Sequence, residues 1–264
     1  MSKSAIKNGE IIREEDAVLP ITLREVQCNY SVYEALRVLG GKAVHLEDHE
    51  KRLRESASML KMDIPPLFLD AWIKKLVEHD GLSDVTMRIL VVGGACPQVF
   101  ITYTELLTYP DSYYYEGVGV TTYSGERFMP TCKTSNLLLS YLALNDAREK
   151  GAFEALLVNR EGEVLEGTRS NFYALIDGTV YTADTDKVLS GVTRISVLKA
   201  LENMGVPVVL SAPSVSDLER ADALFISSTS MAAMPVSAVD GKKCATDNEF
   251  VKRIKDYVRA HELD

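Results

Sequence analysis

Two apolar runs, Asn171 to Ile176 and Thr179 to Ala183, are separated only by Asp177-Gly178. A two-residue Asp-Gly loop takes positive φ at both positions and matches the right-handed twist of paired strands, so it specifies a β-hairpin. Antiparallel structure is therefore required in the second half of the chain. Around this hairpin, Gly117 to Tyr123, Ala155 to Asn159, Val164 to Glu166, Val208 to Leu210 and Ala223 to Ser227 read as further strands. A helix follows Gly191, and another runs from Asn248 to His261. Thr134 or Ser135 is placed to cap a helix through Leu138, Tyr141, Leu142 and Ala147 to a stop at Gly151, which sets Lys133 just before a helix N-terminus.

The first half carries the same two periods in another order. Ser31 to Val38 reads as a strand, followed by a turn at Gly40-Gly41, a short strand, and a helix with His49, Leu53, Ser56, Ala57 and Leu60 at helical spacing. A second helix after Pro65-Pro66 places Phe68, Trp72, Ile73 and Leu76 on one face. Val85 to Val92 and Gln98 to Thr104 then read as strands about Gly93-Gly94-Ala95-Cys96-Pro97, which is turn chemistry. The stretch Leu107 to Tyr115 has no clear period and contains a Pro-Asp break. The expected organisation is a small domain over 1–110, a linker over 111–120 and a large domain over 121–264 carrying Lys133.

Composition narrows the function. A net charge of -9 over 264 residues excludes a general binder of nucleic acid or anionic membrane, because phosphate neutralisation needs clustered Lys and Arg. No apolar run approaches the roughly 18 residues that suggest a membrane span, and the start, Met1 to Leu19, is mostly polar, so a cytoplasmic protein is expected. Cys28, Cys96, Cys132 and Cys244 form no C-x-x-C pair, which indicates neither a zinc site nor a disulfide framework. His45, Asp48 and His49 do not make a metal site, since adjacent residues on a helix face apart and no third histidine is near.

Three segments supply chemistry. Lys133 sits in Thr131-Cys132-Lys133-Thr134-Ser135-Asn136, Glu166 ends a short strand before Gly167, and Leu189-Ser190-Gly191-Val192-Thr193-Arg194 opens a helix. A lysine forms a Schiff base only as the neutral amine, so it must be shifted from its usual pKa of about 10.4. A carboxylate against a pyridine nitrogen keeps that nitrogen protonated. A helix N-terminus offers backbone N–H groups and dipole to a phosphate, and Ser227-Ser228-Thr229-Ser230 adds hydroxyls after a buried strand. Alone, each has an ordinary reading: a surface lysine, a strand-edge glutamate, a glycine cap, a solvated serine loop.

Together with His49-Glu50-Lys51-Arg52-Leu53, Lys133-Thr134-x-Asn136, Glu166-Gly167-x-x-Ser170-Asn171, and Ser228-Thr229 before Pro235-Val236, these motifs occur in the order seen in class IV aminotransferases. Residues 30 to 240 resemble that family, which is fold type IV among pyridoxal phosphate enzymes and includes branched-chain aminotransferases, D-amino-acid aminotransferases and aminodeoxychorismate lyases. The resemblance implies an α+β fold of two domains, a smaller N-terminal α/β sandwich and a larger C-terminal mixed β pseudo-barrel with helices. It implies pyridoxal 5'-phosphate as cofactor, Lys133 as Schiff-base lysine and proton shuttle, and Glu166 as partner of the pyridine nitrogen. Arg52, Val192, Thr193, Ser228 and Thr229 would hold the phosphate, Leu189 would pack on the ring, and Tyr33 would line the substrate pocket. The implied reaction exchanges an amino acid and a 2-keto acid, in a homodimer.

The substrate is less defined. Tyr30 stands where the family has a small acidic residue, and the loop Gly93 to Phe100 lacks the Arg-x-His pair of several D-amino-acid enzymes. Leu137 and Leu138 occupy the stretch where branched-chain members carry a tyrosine. Arg88 is the first candidate for the substrate carboxylate, ahead of Arg127 and Arg169, with a structural ion pair as the alternative. A lyase forming 4-aminobenzoate and pyruvate would use the same lysine and cofactor. A cofactor-binding protein without turnover is the alternative of another class.

Overall fold

A computed structural model describes residues 3–263, which divide into two compact units. Among the described residues the first comprises 3–107, 132–136 and 262–263, and the second 108–131 and 137–261. Lys133 thus belongs with the first unit. The chain passes between units at 107–108, ahead of the expected linker, because residues 111–116 have their own structure within the second unit.

The first unit is built on β1 (Ser4–Lys7), β2 (Glu10–Arg13), β3 (Ser31–Leu39), β4 (Lys42–Ala43), β5 (Val85–Val92) and β6 (Gln98–Glu105), antiparallel in the order β2-β1-β6-β5-β3-β4. Its helices are the one-turn α1 (Arg24–Gln27), α2 (Leu46–Met59) and α3 (Leu69–Asp80). The period of two along β3 and β5 sends Val32, Leu36, Val38, Met87, Ile89 and Val91 to one face, where they pack with Leu53, Ala57, Ile73 and Leu76 of α2 and α3. Tyr33, Ala35, Arg88 and Leu90 lie on the other face, as the register pairs Tyr33 with Leu90 and Ala35 with Arg88.

In the second unit, α4 (Asp111–Glu116) and β7 (Val118–Ser124) are followed by α5 (Leu138–Glu149), β8 (Glu154–Val158), β9 (Val164–Gly167), β10 (Asn171–Ile176) and β11 (Thr179–Thr182). Then come α6 (Val192–Asn203), β12 (Val208–Leu210), β13 (Ala223–Ser228), β14 (Ala232–Val239), β15 (Lys242–Lys243) and α7 (Asn248–Ala260). The Asp-Gly hairpin is present, with Ile176 opposite Thr179 and φ of 48° and 74° at Asp177 and Gly178.

Strand pairing runs β10-β13-β14-β7-β8-β9, and β9 pairs again with β10, so six strands close into a ring. Inside it lie Val120, Leu156, Val164, Phe172, Ala174, Leu224, Ile226, Met234 and Val236. The alternate residues Tyr173, Leu175, Phe225 and Ala233 face outward under α6 and α7. All residues of β8, β9 and β10 are buried, as strands covered on both sides must be.

Candidate active site

Lys133 is held in an extended segment along β3. Thr134 bridges Val32, the Tyr33 N–H donates to the Lys133 carbonyl at 3.1 Å, and the Ser135 N–H donates to the Ser31 carbonyl at 3.0 Å. From the other side the Lys133 N–H donates to Ser56 Oγ at 3.0 Å, and Ser56 is buried on α2. This corrects the expected cap: α5 begins at Leu138, its N-cap residue Leu137 makes no side-chain cap, and Thr134 Oγ1 instead accepts from the Asn136 N–H. Thr134 and Ser135 are committed to pairing with β3, which an N-cap position would not allow. Lys133 is half-buried, its Nζ 4.6 Å from the centroid of the Tyr33 ring.

Beneath this segment sits a carboxylate on the core face of β3. Glu34 is fully buried and accepts from Arg52 Nε at 2.8 Å, Arg52 Nη2 at 2.7 Å and His49 Nδ1 at 2.7 Å. Burial alone would push Glu34 up, but the hydrogen bonds and charge of Arg52, then the His49 bond and the charge of Lys133, outweigh it and hold Glu34 at about 2. For His49 the balance reverses: burial, joined by the charges of Arg52 and Lys133, holds it below the ordinary imidazole value despite Glu34, so the neutral ring donates to the carboxylate through Nδ1. Arg52 is thus oriented by a fork to Glu34. Glu34 as its partner carries no mark in the sequence, since a glutamate in a strand gives no local sign of being buried.

In the second unit, Glu166 lies where the strand ring closes, directly opposite Asn171. It is buried, with Arg127 Nε at 3.2 Å, an ion pair by distance whose N–H is not aligned as a hydrogen bond. Arg127 Nη2 also donates to the Thr168 carbonyl at 2.8 Å, so one guanidinium grips both the carboxylate and the turn after it. Glu154 holds that turn from below. It is fully buried and accepts from the Thr168 N–H at 3.2 Å, Thr168 Oγ1 at 2.5 Å and Ser170 Oγ at 3.2 Å. A Cβ on Gly167 would stand 2.1 Å from Ser170 Oγ, which is why glycine follows Glu166.

The third segment forms a tight turn into α6. Asn171 Nδ2 donates to the Leu189 carbonyl at 2.9 Å, and a Cβ on Gly191 would meet Asn171 Oδ1 at 2.4 Å. Gly191 is the N-cap and makes no side-chain cap, so the first-turn N–H groups of Val192 and Thr193 have no capping side chain. Leu189, Val192 and Thr193 are buried. Ser228 ends β13 and Thr229 follows it, where the Met231 N–H returns to the Ser228 carbonyl at 3.1 Å and Arg259 donates to the carbonyls of Thr229 and Ser230. Asn171 therefore joins the Glu166 strand end to the α6 turn within one unit.

Of the three arginines weighed for a substrate carboxylate, two are occupied. Arg127 serves Glu166, while Arg169 lies over the Phe153 ring at 4.9 Å with Nε 3.4 Å from Glu154. Arg88 is exposed on the sheet face that bears Tyr33 and makes no ion pair with another described residue.

Residues 31–239 match the family model described as amino-transferase class IV. The chain belongs to that family. It is therefore an enzyme that transfers amino groups, of a family that depends on pyridoxal phosphate. Relatives include a D-alanine aminotransferase of Bacillus licheniformis, 30% identical over 89% of this chain and 88% of that one. A putative branched-chain-amino-acid aminotransferase of Methanocaldococcus jannaschii is 29% identical over 94% of this chain and 93% of its own. Among solved structures, the branched-chain aminotransferase of the thermophilic archaeon Thermoproteus uzoniensis with norvaline has a TM-score of 0.89 at 24% identity, covering 98% of this chain and 94% of that one. The fold is type IV, as the sequence motifs imply.

The depressed value of Glu34 has a consequence for acid stability. A carboxylate held below its unfolded value stabilises the fold fully above that value and loses the contribution as pH falls toward the folded one. Thermal unfolding of the wild type should therefore show stability declining from about pH 4.3 toward about pH 2. Glu34→Gln should be less stable at neutral pH and lose this part of the acid dependence. Equal slopes for the two proteins over that range would contradict the assignment.

Proposed function

We propose that this chain is a pyridoxal phosphate-dependent transaminase exchanging an amino acid with a 2-keto acid, with a substrate of the D-amino-acid or branched-chain type. The observation that carries the reading is that a strand-anchored Lys133 and a buried, arginine-held Glu166 are both present, each positioned by its own network. The uncapped first turn of α6, kept open by Gly191 against Asn171, suits a phosphate ester.

In this reading the N–H groups of Val192 and Thr193, the hydroxyls of Thr193, Ser228 and Thr229, and the guanidinium of Arg52 hold the phosphate. Arg52 does so with its orientation set by Glu34, and a planar fork is suited to both partners. Leu189 packs against the ring. Glu166 holds a proton on the ring nitrogen, with Arg127 keeping its carboxylate in place. When bound, pyridoxal phosphate supplies an electron sink for charge that develops at the substrate's α-carbon. Lys133 would be the covalent anchor of the resting enzyme, and its Nζ would carry a proton between the substrate's α-carbon and the C4' carbon of the cofactor. Tyr33 lines the pocket beside Lys133, and Arg88, on the same sheet face, takes the substrate carboxylate.

The assembly proposed is a homodimer. Helix α5 buries its small residues, Ser140, Ala143 and Ala147, and presents Leu138 and Tyr141, 65% and 64% exposed, and Leu142 beside them. A helix that turns its large apolar residues outward is arranged for a partner surface, and a second copy of this chain is the partner that the family resemblance implies. No helix among the described residues is long and apolar enough to cross a membrane, and a cytoplasmic setting is part of the proposal.

The activity is tested by loading the protein with pyridoxal phosphate and assaying D-alanine, L-leucine, L-valine and other D- and L-amino acids as donors against 2-keto acids. Amino transfer is expected for at least one donor, with Lys133→Ala lowering turnover by about 10²-fold or more. Arg88→Leu should raise KM by about tenfold to a hundredfold with little change in kcat, as loss of a charged hydrogen bond would. No transfer from any donor, or full activity of Lys133→Ala, would reject the reading, and pyruvate release from aminodeoxychorismate without a keto-acid acceptor would replace it with a lyase.

The assembly has its own test. In sedimentation, the wild type should run as a dimer and the double variant Leu138→Asp, Tyr141→Asp as a monomer; a monomeric wild type, or a variant that stays dimeric, would contradict this interface.

A further inference from the structure

Arg194, on the first turn of α6, is the largest fully buried side chain among the described residues, 1% exposed. Its Nη2 donates to the Ala183 carbonyl at 2.5 Å, while Nε and Nη1 meet no acceptor among the described residues. It makes no ion pair there either. A buried guanidinium is normally matched by a carboxylate, because stripping its hydration without a counter-charge is costly. The location compounds the cost, since the N-terminal turn of a helix is its positive end and favours anions. Two sources of positive potential are thus concentrated at one turn, and no carboxylate among the described residues pairs with the guanidinium.

The surroundings connect this charge to the segments assigned to the phosphate. A Cβ on Gly191 would lie 3.4 Å from the Cβ of Arg194, so the side chain leaves the backbone directly beside the turn. The charge of Arg194 also acts on Tyr173, which is fully buried, stacks on Phe225 at 4.5 Å and hydrogen-bonds Ser227 Oγ at 2.9 Å. Ser227 immediately precedes Ser228 and Thr229. The Arg194 side chain thus starts beside the α6 turn, and its charge is felt at Tyr173, whose hydroxyl bonds Ser227 at the root of the serine-threonine loop.

We infer that Arg194 is a positioning residue whose buried charge is balanced by the cofactor's phosphate, acting on it through the field and geometry of the α6 turn rather than by direct contact. The inference rests on the pyridoxal phosphate reading above. It explains why an arginine is kept where helix electrostatics disfavour one: the site is electrostatically complete only with a dianion in place. The Ala183 bond fixes the guanidinium so that the charge does not turn away to solvent.

The experiment compares binding of pyridoxal phosphate and of pyridoxal, which lacks the phosphate, to the full chain freed of cofactor, for wild type, Arg194→Met and Arg194→Lys, with melting temperatures recorded in parallel. For Arg194→Met the dissociation constant for pyridoxal phosphate should rise on the order of tenfold or more while that for pyridoxal stays within about twofold. Arg194→Lys, which retains the charge, should recover most of the preference. A merely structural role would weaken both ligands equally, or lower the melting temperature with the preference intact, and either result overturns the inference. If Arg194→Met does not fold, Arg194→Lys decides: loss of the phosphate preference in a folded lysine variant is equally contrary. A wild type that binds neither ligand refutes the underlying cofactor reading instead.

Discussion

Closure of the strand ring in the second unit is the constraint on which the rest depends. Six strands, paired side by side, close on themselves only because β9 pairs with β10 at Glu166 and Asn171, beside a turn too tight for any side chain at Gly167. A closed ring has no free edge, so its strand ends cannot slide. Glu154 and Arg127 tie the turn from two sides, and Asn171 extends the same rigidity to Leu189 and the entrance of α6. A carboxylate and an anion-receptive helix turn are thereby held by one piece of structure. Positioning of this kind is what lets electrostatic groups act without reorganising.

The first unit applies a different device to the same end. Lys133 is not carried by a helix but pinned as a short extended strand between β3 and Ser56 of α2. That leaves its backbone fixed and its side chain directed over Tyr33. The polar core below is a matched set: one buried carboxylate, one guanidinium and one neutral imidazole, each with a partner. Leaving any of these groups alone in the core would be far more costly than the pairing is favourable.

Much of this was legible in the sequence, for physical reasons that differ by element. The strands β5 and β13 and the hairpin at Asp177-Gly178 follow from apolar runs rich in strand-forming residues and from turn chemistry, both of which are local. The same turn chemistry stands at Asn8-Gly9, with φ of 51° and 88°, but the four-residue runs beside it are short and interrupted by charge, so β1 and β2 escape a pattern reading. The family motifs single out Lys133, Glu166 and the α6 turn as the candidate site. What the pattern could not convey is pairing between distant segments. Thr134 looks like a helix cap because caps are local, whereas its bridge to Val32 is set by the tertiary fold. The partners Glu34 for Arg52, Arg127 for Glu166 and Glu154 for Thr168 are invisible for the same reason: burial of a charged residue depends on who else is buried with it.

The central claim is that Lys133 is the amine that anchors the cofactor. Its most direct test is to incubate the protein with pyridoxal phosphate, reduce with borohydride, and map the modified peptide by mass spectrometry. The account predicts one phosphopyridoxyl group per chain, on Lys133, and none on the Lys133→Ala protein. Label on another lysine, or equal labelling of the variant, would contradict it.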